Sequence, residues 1–157
     1  MYKLLLYVIF LLFCQCKRDH SLKEEVTDLL RTEIVIRGDK ALVEEPVTIT
    51  AYRAERSTGG IHDFYSEGDY WWPDPANPGG PYIRRDGRSN PDKFDGHRDA
   101  LIAFGRTVPA LAALWGLTGE ARFAEAVMRH LAAWFVDPTT RMNPNLDHAQ
   151  AIIGVNT

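Results

Sequence analysis

Leu101, Phe104, Val108, Leu111 and Trp115 recur at steps of three and four residues, with Ala100, Ala103, Ala110, Ala112 and Ala113 between them. Residues so spaced share one side of an α-helix, and the alanines keep its flanks slim, so the segment predicts a buried helix. Pro109 should bend it, because proline lacks an amide donor and crowds the carbonyl one turn back. Gly116 marks its expected end and Thr118 the expected cap of a second helix. There Phe123, Val127, Leu131 and Trp134 form the core side, widened by Ala124, Met128 and Phe135. Asp137-Pro138 stops that helix. So short a connection makes the pair an antiparallel hairpin. Both helices are apolar over more than one stripe and need cover on two sides, more than the few helices visible supply. The pattern implies an incomplete all-α assembly, the N-terminal part of a longer helical protein truncated at Thr157. A complete small domain that dimerises through the bare faces is the alternative.

Earlier in the chain, Ser21 and Glu24 form a capping-box pattern ahead of Leu22, Val26, Leu29 and Leu30, which predicts a short amphipathic helix over 21–31. After Gly38, Ala41, Leu42 and Val43 suit a helix, Pro46 interrupts it, and β-branched Val47 to Thr50 read as extended. Between Ser57 and Asp95, Gly, Pro, Asn and Asp are too dense for regular structure. Lys3 precedes an apolar run from Leu4 to Phe13, too short to span a bilayer but suited to a signal-peptide core. Cys16, followed by Lys17-Arg18-Asp19, fits a lipid-modified cysteine, although Phe13 and Gln15 are not the usual small residues before such a site. Simple secretion competes with that reading. Residues 1–16 are thus read as a signal, 17–39 as a linker with a short helix, and 40–157 as the main domain. The expected location is outside the cytoplasm, in the periplasm or as an outer-membrane lipoprotein of a bacterium. Membrane contact is expected only through the signal or lipid.

A chain of 157 residues, 45% hydrophobic and 25% charged, is too apolar to be disordered, and a net charge of −3 argues against a nucleic-acid partner. Metal and cofactor motifs are missing: HExxH, CxxC, an EF-hand loop, a P-loop, GxGxxG and GxSxG do not occur, so no metal or cofactor is expected. Chemistry is concentrated in two places. Tyr70, Trp71 and Trp72 run into Pro73 and a glycine- and proline-rich bend, followed by Arg84 and Arg85. Indole faces suit the C–H side of a sugar ring, and paired guanidiniums fork onto a carboxylate. Adjacent residues in extended backbone point to opposite sides, so one tryptophan is expected to anchor the loop and the other to line a cleft. The second concentration holds Asn143, Asn145 and His148, with Asn145 or Asp147 expected to start a helix. His62, beside Asp63, is a candidate proton-transfer group or a structural histidine.

HDFYSEGDYWWPDPANPGGPY (62–82), NPDKFDGHRDAL (90–101) and MNPNLDHAQAIIGVNT (142–157) resemble the opening third of bacterial alginate lyase-like proteins, polysaccharide lyases with an (α/α) toroid fold. The resemblance implies an incomplete barrel of helical hairpins carrying the long aromatic, Pro/Gly-rich loop. It also implies an acidic polysaccharide such as alginate as partner and β-elimination as the reaction. Tyr70, Trp71, Trp72, Arg84, Arg85, Asn143, Asn145 and His148 become expected substrate-binding residues. The family's Asn-Asn-His segment, which neutralises the uronate and supplies a base, does not occur in this sequence. The catalytic base and acid are therefore unassigned, and the chain alone is expected to lack lyase activity. Two alternatives stand beside this: a noncatalytic exported glycan-binding protein, and a helical repeat scaffold, against which the long loop argues.

Overall fold

The computed structural model describes residue 22 and residues 24–156. The signal segment, Cys16 and Ser21 lie outside them. A first helix, α1, covers residues 24–42, well beyond the short helix expected. The hairpin forms from α2, Gly96–Thr118, and α3, Ala121–Phe135. Helix α2 runs through both Pro109 and Gly116 and ends at Gly119, whose φ of 71° lies in the left-handed region that glycine enters without steric cost. Thr118 serves this end rather than capping α3. Its hydroxyl donates to the Leu114 carbonyl at 2.8 Å and accepts the Glu120 N–H at 3.2 Å.

Two apolar clusters hold the helices together. In one, Ala41 of α1 meets Leu111 and Leu114 of α2 and Phe123 and Ala126 of α3. Gly38 makes this approach possible: a β-carbon there would stand 2.6 Å from Leu114 Cβ. The other joins Ile49, Phe64, Ala100 and Trp134. Of the stretch expected to be extended, Val47 to Thr50, Thr48 is so (φ −108°, ψ 176°), whereas Ile49 and Thr50 are not. Thr48 caps a single 3-10 turn, Ile49–Ala51. The strap leading to it is tied to both long helices, because the Glu44 carboxylate accepts from the Thr107 hydroxyl at 2.6 Å and its carbonyl from His130 Nε2 at 3.2 Å.

The segments C-terminal to α1 correct the expected all-α toroid wall. Among the described residues, three α-helices stand beside two small sheets, a mixed α/β arrangement. Strand β1, Tyr65–Glu67, pairs in parallel with β4, His148–Ala151, matching Tyr65 to His148 and Glu67 to Ala151. Strands β2, Trp71–Trp72, and β3, Ile83–Arg84, form an antiparallel pair. Neither a structureless 57–95 loop nor a helix near Asp147 forms. Tyr65, Ser66 and Glu67 are buried, and buried backbone groups need partners; the segment from His148 supplies them. The two sheets are joined where Tyr82 N–H donates to the Ile153 carbonyl at 2.9 Å.

His97, buried at the start of α2, links helix to sheet. Its Nδ1 accepts the Tyr65 N–H at 3.0 Å, so the ring proton sits on Nε2 and is donated to the Tyr52 carbonyl at 3.1 Å. Burial lowers the pKa of this imidazole below its ordinary 6.5, the Tyr52 bond opposing the shift. The unfolded chain then binds the proton more readily, so the stabilisation is complete above pH 6.5 and is lost as pH falls through the folded value. Thermal unfolding is expected to show a falling midpoint below about pH 6.5, and His97→Asn a shallower dependence there. A His97→Asn profile parallel to the parent's would contradict this.

Candidate functional site

The predicted asparagines and His148 converge on a residue that sequence reasoning did not single out as a ligand-binding group. Asp63 Oδ1 accepts from Asn143 Nδ2 at 2.8 Å and from Asn145 Nδ2 at 3.5 Å, and Oδ2 accepts the Gly60 N–H at 2.8 Å. These donors, that of Asn143 foremost, and the nearby His148 hold the carboxyl below its usual range. Backbone bonds fix the frame: Asn143 N–H donates to the His62 carbonyl at 2.8 Å, and Asn145 N–H to the Asn143 carbonyl at 2.8 Å. His62 Nδ1 lies 2.7 Å from the Arg141 carbonyl, which only accepts, so that nitrogen carries the proton. His148 sits at the start of β4 rather than in a helix, with Nδ1 3.5 Å from the Thr58 hydroxyl.

The aromatic residues occupy the second sheet. Trp72 donates its indole N–H to the Arg88 carbonyl at 2.8 Å, and the Arg85 guanidinium lies 5.3 Å above its ring. Trp71 packs over Gly68, where a β-carbon would meet Cδ1 at 2.5 Å. Buried Asn90 anchors the same strand by donating to the Trp71 carbonyl at 2.9 Å. Both indoles are half-buried, so neither is sealed in the core. Arg84 is engaged with Asp86 at 2.6 Å on the surface, and Tyr70 is exposed, its carbonyl accepting the Arg85 N–H at 2.8 Å. The structure thus brings Trp72 with Arg85, and Asn143 and Asn145 with His148; Arg84 and the Tyr70 ring join neither group.

One groove, about 640 Å³ between Arg37, Lys40 and Arg106 on α1 and α2, is lined by none of these residues. A second, of about 540 Å³, runs along Thr50 to Ile61 and includes Gly59 and Gly60, which touch His148 and Asp63. The chemistry favours the second.

Residues 48–157 match the family model described as alginate lyase. The chain belongs to the alginate lyase family. It is 38% identical to a solved alginate lyase from Bacteroides ovatus, with a TM-score of 0.70 over 80% of this chain. The match covers 33% of that chain, so this alginate lyase family member spans about a third of the length of the solved protein. A search of curated proteins gave no match.

Within this family member, the signal for Asp63 was its position beside His62. Arg56 and Glu67, which support β1, gave no signal because an isolated arginine and glutamate read as surface residues. Gly59 is more informative than its composition suggests. A β-carbon there would lie 2.6 Å from His148 Cδ2, 2.8 Å from Nε2 and 3.0 Å from Asp63 Cβ. Gly59→Ala is therefore expected to displace the imidazole and cost about 1–3 kcal/mol, read from the His148 NMR signals and thermal unfolding. Unmoved His148 signals would contradict the packing described.

Proposed function

We propose that this alginate lyase family chain forms part of the substrate-binding wall of a polysaccharide lyase that cleaves an acidic, uronate-containing polysaccharide such as alginate by β-elimination. The Arg85 guanidinium over the half-buried Trp72 ring carries the reading. Elimination begins with removal of the proton beside the uronate carboxylate, and the charge that develops there needs a cation or donors placed in advance. An arginine held over an indole offers such a fork, while the indole offers a face to the sugar ring. Asn143, Asn145 and His148, gathered around Asp63, support a second, polar wall.

A chimera tests this: residues 48–157 replace the matching segment of the Bacteroides ovatus alginate lyase, and unsaturated product is followed by its ultraviolet absorbance on alginate. Activity is expected to survive, and Arg85→Ala in the chimera to lower kcat/KM by about tenfold to a hundredfold. A folded chimera without activity, or one indifferent to Arg85→Ala, defeats the proposal. A second reading is a noncatalytic exported glycan-binding protein, which the same half-buried indole and its arginine would serve. Polyuronate binding without product by the natural full-length protein would select it. Export itself is proposed from the Leu4 to Phe13 run, with Cys16 as the lipidation site; an intact mass lacking an acyl chain would remove the lipid anchor.

A further inference from the structure

The Asp63 cluster and the Trp72–Arg85 pair differ in electrostatic character. The amide nitrogens of Asn143 and Asn145 are turned to Asp63, and the Asn145 amide oxygen takes the Asp147 N–H at 3.3 Å. His62 has committed its Nδ1 proton to the Arg141 carbonyl, leaving Nε2 as an acceptor in the neutral ring. The acceptors this cluster offers a ligand include His62 Nε2 and the Asp63 carboxylate. At its centre stands a carboxylate held ionised by its donors, with His148 as the basic group beside it. A uronate carboxylate placed here would meet a like charge, and one N–H of each asparagine amide is already turned to Asp63. Sugar hydroxyls suit it instead, since a hydroxyl donates to a carboxylate in a short, charge-assisted bond.

We propose that the Asp63 cluster is a subsite for sugar hydroxyl groups, with Asp63 as the specificity-determining residue that keeps a uronate carboxylate out of it. The inference rests on the glycan-binding function proposed for this chain and deepens it. On a bound oligosaccharide, carboxylates would be left to Arg85 and hydroxyls to Asp63.

The test measures binding of the full chain to alginate-derived oligosaccharides, and to the same oligosaccharides with their carboxyls reduced to alcohols. Arg85→Ala is expected to weaken only the charged set. Asp63→Asn is expected to weaken both sets by about tenfold, and Asp63→Glu to recover part of that loss. If circular dichroism shows Asp63→Asn unfolded, Asn145→Ala, which leaves the shorter Asn143 bond in place, should weaken both sets by about threefold. Unchanged binding of the reduced set by the folded variant overturns the hydroxyl subsite alone. Failure of the unaltered chain to bind either set overturns the glycan-binding reading and this subsite with it.

Discussion

Arg56→Ala is expected to lower the unfolding free energy by about 3 kcal/mol, measured by urea denaturation. Its partner Glu67 points inward from β1 with a side chain only 4% exposed, and the two meet through both carboxylate oxygens at 2.6 and 2.8 Å. The Tyr65 hydroxyl also donates to Glu67 at 3.0 Å and the Phe94 N–H at 3.3 Å. Burial first, then the Glu67 charge, hold the Tyr65 phenol protonated far above its usual range, so it remains a donor. Without Arg56 the carboxylate keeps two donors but loses its countercharge inside the protein. Because the Arg56 side chain is 42% exposed, solvent screens part of the pair, which places the effect at the lower end for a broken buried ion pair. Adding Glu67→Gln to Arg56→Ala should recover part of the loss, since no stranded charge remains. A loss below about 1 kcal/mol in the single variant would show that water reaches Glu67.

Trp134→Ala is expected to cost more, about 3–5 kcal/mol in the same measurement. The residue is fully buried, its ring 5.0 Å from that of Phe104, and it packs with Ile49, Phe64 and Ala100 where α3 meets the strap and the sheet segment. Removing the indole leaves a void that several separate segments would have to close together. Trp134→Phe offers a control with a definite sign. Among the described residues the indole Nε1 has no hydrogen-bond partner, so phenylalanine discards a donor that gains nothing here and should cost clearly less than alanine. Equal losses from both variants would mean the indole nitrogen is satisfied, for example by an ordered water.

The α2–α3 hairpin was readable because both helices carry long apolar repeats and a glycine-bearing turn, signals generated within each segment. The small sheets were not. Two-residue strands such as Trp71–Trp72 and Ile83–Arg84 are too short for any periodicity, and the β1–β4 pairing depends on partners at opposite ends of the domain. The all-α expectation failed there because local pattern says nothing about which distant backbone will satisfy Tyr65 to Glu67. At the site, Asn143, Asn145 and His148 were visible as a polar concentration, yet the helix expected to present them was wrong. Their common partner Asp63 lies 80 positions from Asn143, beyond the reach of spacing arguments. Arg84 was singled out beside Arg85 as an equal, but the turn gives it Asp86 as a neighbour and leaves Arg85 on the indole.

The parallel ladder between β1 and β4 also dictates an order of events during synthesis. Helices α2 and α3 assemble from neighbouring contacts while the chain is still emerging, whereas the ladder must wait until His148 to Ala151 have left the ribosome. Closing so large a loop is the slow, entropy-limited event, and Asp63 gains both asparagine partners only with it. The Asp63 cluster is thus completed on the nascent polypeptide only after the hairpin already exists.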